Sequence, residues 1–284
     1  MNEQQRCPDM VCADFLALRA RVRQIERPAA TMHGVLPFGV AAIDRVLPGG
    51  GLARGALHEI LGAGGDEEDG ALAAAFAASI LGRLAVTTGP HPNPPPHAGE
   101  GMGGGGVVLW CQPYPDLYGA GFAALGLDPG RLVLVRAARD GDLLWAMEEG
   151  LRAPGILAVV GELATLPAVA SRRLQLAAEH AGVTAFALRR WREAGEAARG
   201  RVLPNTAATR WRIAALPSRS EEAGVGPARW RVELLRCRGG EPASWELEVA
   251  DATGAVSVVA ALADRPPAAG HPVFAAPALR RRAG

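Results

Sequence analysis

Residues 65–72, GDEEDGAL, have the glycine spacing of a phosphate-binding loop and none of its chemistry. In a working loop, G-x-x-x-x-G-K-[ST], backbone N–H groups surround the phosphates, the Lys reaches the β- and γ-phosphates and the hydroxyl holds Mg²⁺. Here Ala71 and Leu72 stand at the Lys and hydroxyl positions, and Asp66, Glu67, Glu68 and Asp69 lie between Gly65 and Gly70. Four carboxylates would oppose a triphosphate where loop and helix N-terminus should offer positive potential. No lysine can be supplied from elsewhere, because all 30 basic residues are Arg. The wide planar guanidinium does not replace a point-charge ammonium threaded into a tight loop. The expectation is a chain without a nucleotide cofactor.

The elements around this loop follow from periodicity. A short apolar strand over 57–61 enters the glycine-rich turn 62–70, which opens into a mostly alanine helix, and residues 35–55 before it are turn-rich. Residues 87–106, TTGPHPNPPPHAGEGMGGGG, forbid helix or central strand and read as a disordered surface insertion. His91 and His97 lack Cys or carboxylates at ligand spacing, so they read as linker residues and no metal site is expected. Strands at 107–112, 132–135, 156–160 and 183–188 then alternate with helices at 117–125, 141–152 and 168–181, the order of a parallel, helix-covered sheet. Residues 209–216, 228–238 and 244–252 alternate apolar and polar positions and read as antiparallel strands extending that sheet with one face exposed. Upstream, Val11, Phe15, Leu18, Val22 and Ile25 form one apolar stripe on a helix. The stripe must bury either on its own domain or on a partner or neighbouring protomer.

With 284 residues, 49% of them hydrophobic, the chain can bury one large core or two small ones. Residues 170–284 hold 18 Arg against 11 acidic residues (+7) and residues 1–169 hold 12 against 18 (−6), which makes the C-terminal part the candidate face for an anionic partner. An Arg-only, Ala- and Gly-rich composition also reflects general codon bias. Four cysteines without a C-x-x-C, no signal-peptide pattern and no apolar run of roughly 18 residues imply a soluble protein of a reducing cytoplasm, with no membrane partner. The expected division is a helix and linker over 1–34, a core over 35–264 and a flexible basic tail over 265–284 that ends in Arg280, Arg281 and Arg282.

The succession of strand, glycine loop, strand 107–112, helix ending in GLD (126–128) and strand 156–160 resembles the ATPase core of RecA over roughly residues 36–260. The segments GGGLARGALHEI, LLWAMEEGLR, VVGEL, SRRLQLAAEHAGVTAFALR, TRWRIAALPS and WRVELLRCRGG are similar to the ImuA family, the RecA-like proteins of bacterial inducible mutagenesis. This resemblance implies an α/β fold: a RecA-like, mostly parallel sheet flanked by helices, with antiparallel C-terminal strands and an N-terminal helix. The aspartate that should end the Walker B strand falls at Gly161, with Glu162 beside it, and the water-positioning carboxylate falls at Gln112 and Pro113. Phosphoryl transfer rests on placed charge and metal, so losing these groups implies little or no hydrolysis. Glu162 is the one residue that could rescue Mg²⁺, although a carboxylate beside a strand end is more often a cap or surface group.

After the Walker B strand the RecA pattern faces DNA. Arg172 and Arg173 there read either as phosphate contacts near a helix N-terminus or as a solvated helix face. Trp191, Trp211 and Trp230 sit beside arginines, which suits base stacking on single strands, while strand alternation suits burial of Trp211 and Trp230. The resemblance implies a non-catalytic accessory subunit of an error-prone translesion synthesis complex, working with ImuB, an error-prone DNA polymerase and RecA, nucleoid-associated when engaged, with single-stranded DNA as a compatible further ligand. The alternative is a division inhibitor induced by DNA damage, because LLWA and SRRLQLAA also resemble SulA. An active DNA-dependent ATPase is the third reading, opposed by Ala71, Leu72 and Gly161.

Overall fold

Strands that are apolar throughout are those covered on both faces, and this property orders the molecule. The computed structural model describes residues 32–87, 106–191, 203–218, 226–249 and 256–262. In chain order the elements are β1 (Val35–Leu36), α1 (Ala41–Asp44), β2 (Leu52–Ala53), β3 (Leu57–Gly62), α2 (Ala71–Thr87), β4 (Val107–Gln112), α3 (Gly119–Ala123), β5 (Leu132–Arg136), α4 (Asp140–Arg152), β6 (Ile156–Leu163), α5 (Ala168–Ala181), β7 (Thr184–Arg189), β8 (Thr209–Leu216), β9 (Arg229–Cys237), β10 (Ala243–Val249) and β11 (Val256–Leu262). The expected helix over 11–26, the body of the insertion at 87–106 and the tail over 265–284 lie outside the described residues.

A nine-stranded sheet runs in the order β5-β4-β6-β7-β3-β8-β9-β10-β11, with β1 and β2 as a separate ribbon. All pairs from β5 through β8 are parallel, and β9, β10 and β11 continue antiparallel. Every residue of β3 and β7 is buried, as central strands require. The result is the RecA-like α/β core with antiparallel terminal strands.

Three expectations need correction. Residues 209–216 do not pair antiparallel on both sides: β8 lies parallel to β3, with His58 opposite Thr209, and only its other edge is antiparallel to β9. The chain between β7 and β8 is long enough to return to the starting end of the sheet, which a parallel neighbour demands. The helix expected over 117–125 is only the short α3, where Gly119 and Gly121 weaken a helix of few turns. Strand 156–160 in turn extends to Leu163, because its residues from Leu157 on are all buried.

Side chains alternate between two cores. On one face α2 packs with Phe38, Phe76, Trp110, Phe186, Trp211, Trp230 and Trp245. Trp211 lies 5.4 Å from Phe38, 5.7 Å from Phe76 and 6.2 Å from Trp245, centroid to centroid. On the other face α4 and α5 cover Leu57, Leu109, Met147, Val159 and Ala187. The alanines of α2 let it approach closely: a Cβ on Gly82 would meet the Gly126 carbonyl carbon at 2.7 Å. Residues 68–87 are long and apolar enough to cross a membrane by length and composition, yet 61% of that window is buried inside this fold. A helix apolar on nearly all sides is a core helix here.

Candidate functional site

In an α/β sheet, ligands bind outside the carboxyl ends of the strands, and in this chain that place is filled by the protein itself. The residues after β3 turn through Ala63, Gly64 and Gly65 into one π-helical turn, Asp66–Gly70, which runs straight into α2. The amides that would cradle phosphate have internal acceptors. Ala63 N–H donates to the Ile213 carbonyl (2.8 Å), Gly64 N–H to Asp69 Oδ2 (2.5 Å), and Asp66 N–H to the Trp191 carbonyl (2.9 Å). Asp69, 6% exposed, also accepts from Ala215 N–H at 3.3 Å. One of the four carboxylates thus takes up, from inside, a loop amide of the kind that binds phosphate in working loops.

A second carboxylate holds an arginine over the loop. Asp66 accepts two parallel bonds from Arg190, Nε to Oδ1 and Nη2 to Oδ2, both 2.7 Å, the bidentate geometry of strong Arg–carboxylate pairs. Asp116, beyond β4, accepts from the same guanidinium at 3.1 and 2.8 Å. Glu162 on β6 accepts from Arg190 Nη1 at 2.9 Å and from Trp110 Nε1 at 2.8 Å. Arg190 immediately follows β7, so four strand ends converge on one cation.

Glu162 is fully buried and side-chain bonded, and therefore neither a cap nor a surface group as its position in the sequence suggested. Burial pushes its carboxyl above the usual carboxylate range, against the pull of Arg190 and the Trp110 N–H. Burial also works against the Arg190 charge, but its bonds to Asp66 and Asp116 and the field of Glu162 outweigh that and raise its pKa above the ordinary arginine value. Among the described residues no group of three His, Cys, Asp or Glu side chains is arranged to hold a metal ion. The residues present do not fit magnesium nucleotide: the loop amides are taken, a guanidinium sits among the acids, and Ala71 and Leu72 bring neither charge nor hydroxyl.

Arg189, one residue earlier, points to the opposite face and joins a second network. Its Nη1 bonds Glu59 Oε1 on β3 at 3.1 Å and its Nη2 bonds the Ala164 carbonyl at 2.6 Å. Asn205 Nδ2 (2.7 Å) and Arg210 Nε donate to the other oxygen of Glu59. The Arg189 guanidinium also lies 5.2 Å from the ring centroid of Trp191, a cation–π contact.

The other sequence candidates are scattered. Gly161 lies inside β6, where a Cβ would displace the buried Met147 side chain, so close packing against α4 accounts for a small residue there. Gln112 closes β4 with 3% exposure, and its Oε1 has no hydrogen-bond partner. Arg172 is exposed on α5, while Arg173 bonds Glu148 at 2.5 and 3.2 Å. Trp191, Trp211 and Trp230 are at most 3% exposed and offer no stacking platform. Arg280, Arg281 and Arg282 lie outside the described residues. The residue that sequence reasoning missed is Arg190. Its signal was an arginine doublet ending a strand in a chain whose loop carries an acid cluster.

No protein-family model matches the chain. Two curated relatives do, both called Protein ImuA, from two strains of Caulobacter vibrioides; each is 37% identical over 264 residues, covering 90% of this chain and 99% of the relative. Identity at that level across nearly the whole of both chains shows that this protein belongs to the ImuA family.

Proposed function

We propose that the chain is a non-catalytic, RecA-like accessory subunit of an error-prone translesion synthesis complex in the DNA damage response, bridging ImuB, the error-prone polymerase and RecA. The observation that supports this reading is the guanidinium of Arg190, held by Asp66, Asp116 and Glu162 where a RecA-like ATPase would hold its magnesium nucleotide. A scaffold that keeps the RecA shape while taking up its own loop amides retains surfaces and discards turnover. The reading places the protein in the cytoplasm, at the nucleoid when engaged, with Arg172 as an exposed candidate for phosphate contact.

The test is a binding experiment with purified components. Association with ImuB and with RecA at micromolar concentration is expected, together with no ATP binding or turnover beside a RecA control. Absence of both associations would sink the proposal, as would ATP turnover abolished by Glu162→Gln. In a salt series, single-stranded DNA binding that weakens steeply with salt and is reduced by Arg172→Glu would add direct phosphate contact to the bridging role.

A further inference from the structure

The nine-stranded sheet ends on one side at β5, which bonds β4 and, among the described residues, no other strand. Gln112 lies opposite Arg136 in this parallel pair, and the Ala137 amide donates to the Gln112 carbonyl at 3.2 Å. Backbone groups alternate between the two sides of a strand, so Val133 and Val135 turn theirs toward β4 as Ala137 does. The N–H and C=O groups of Leu132, Leu134 and Arg136 therefore point away from the sheet. Nothing within β5 blunts this edge: it has no proline, its pairing runs without a bulge, and its one charge, Arg136, stands at the end. Its middle residues are apolar and uncovered, Val133 being 45% and Leu134 53% exposed. An edge of this kind is a template for another strand.

The strand it matches is its own copy. Two β5 strands that meet antiparallel across a two-fold axis must pair outward-facing residues with each other, even numbers with even numbers. The register that overlaps the whole strand centres on Leu134: Leu134 faces its equivalent, Leu132 faces Arg136 and Val133 faces Val135. The three outward pairs supply about six hydrogen bonds, two for each exchanging pair. Setting Arg131 against Arg136 would bring like charges directly opposite, but that register joins an odd residue to an even one and cannot use the free backbone groups. In the centred register Arg131 faces Ala137, and the arginines stay apart. The net charge of +1 adds little repulsion between copies. A two-fold pair also consumes the edge of both copies, whereas joining β5 to β11 at the far end of another sheet would leave open edges and keep growing.

We propose that the chain self-associates through β5, two copies joining edge to edge about Leu134 into one continuous sheet. Val133 and Leu134 then gain apolar cover from Val135 and Leu134 of the other copy. A pair of five-residue strands is at the small end of specific interfaces, so dissociation in about the micromolar range is expected. This pairing stands or falls independently of the proposed function.

Sedimentation of the full-length protein over roughly 1–100 µM tests it, with a monomer in exchange with a dimer as the expected result. Leu134→Lys sets two ammonium groups against each other at the axis and should leave only monomer. Its melting temperature should be unchanged, because that side chain is already half exposed. Val169→Lys, at an exposed valine on α5, should keep the dimer. In a Cys7→Ser/Cys12→Ser background, Leu134→Cys should cross-link on oxidation, since opposed Cα atoms lie about 5.5 Å apart, within reach of a disulfide. Arg136→Cys should not, its two copies lying about 14 Å apart along the strands. Monomer at every concentration overturns the proposal, as does a dimer indifferent to Leu134→Lys. Species that grow beyond the dimer assign the edge to β11 and overturn the closed pair. Cross-linking through Arg136→Cys in place of Leu134→Cys overturns the register.

Discussion

Arg189 and Arg190 are neighbours in sequence and end on opposite faces of the same sheet, one in a sealed network and one in an open one. Arg189 and Glu59 are each 1% exposed at the side chain, with Asn205 and Arg210 completing the coordination of the carboxylate. Arg190 is 16% exposed and one of its acids, Asp116, is 47% exposed. The first network ties β3 to β7 and to the strand that follows. The second spans the ends of β4, β6 and β7 and the loop after β3, at the carboxyl ends of the strands, where α/β sheets bind ligands. A guanidinium that never dissociates can do there what a bound ligand does, holding four strand ends together, without any cycle of binding and release.

The sealed network should give the largest response to mutation. Glu59→Leu leaves Arg189 and Arg210 charged and without their shared carboxylate, and should cost about 3–5 kcal/mol in denaturant unfolding, with much of the loss recovered in the Glu59→Leu/Arg189→Met double variant. Recovery in the double variant separates a lost pair from a packing defect.

Next comes His58, beside Glu59 on β3. It is fully buried, its Nε2 donating to the Ala53 carbonyl (2.8 Å) and its Nδ1 accepting from Thr209 Oγ1 (2.7 Å), and burial lowers its pKa to about 4. The folded state therefore binds fewer protons than the unfolded one between about 4 and the ordinary value of 6.5. Stability should be full above 6.5 and fall by about 3 kcal/mol as pH drops through that window. His58→Gln should flatten that slope; an unchanged slope would show that other groups carry it.

Arg190→Ala should cost somewhat less, about 2 kcal/mol near neutral pH, because Asp66 and Asp116 can turn to water and Glu162 can take up a proton. A carboxyl whose folded pKa is raised destabilises as pH rises above its unfolded value. The deficit of this variant should accordingly shrink as pH falls toward about 4. ATP turnover should stay absent in the variant, since Ala71 and Leu72 are untouched. The smallest effect belongs to Arg173→Ala: its pair with Glu148 is 62% exposed on the arginine side, so a thermal melt should register less than about 1 kcal/mol. A larger loss would mean that the helix face carries more structure than the ion pair alone.

Much of this molecule was legible before its structure. The strands at 57–61 and 107–112 and the helix at 168–181 announced themselves by apolar runs and a 3.6-residue period, and the loop at 65–72 by its missing lysine and hydroxyl. The site was less legible. Asp66 and Asp69 read as two members of an acid run, yet one binds Arg190 and the other closes back on Gly64. Strand alternation could assign Trp211 and Trp230 to the core, and did so as one of two readings, but nothing local showed that Trp191 is covered as well.

The sequence by itself determined the class of fold, the family and the loss of the Walker groups, because periodicity and residue identity are properties of position along the chain. Only the tertiary structure decided that β8 lies parallel to β3, that Glu162 is buried, and that Arg190 rather than a ligand joins Asp66, Asp116 and Glu162. Those facts depend on partners far apart in the chain, 151 residues for His58 and Thr209 and 124 for Asp66 and Arg190. Charges so distant in sequence acquire a definite separation only when the strands that carry them are paired in register.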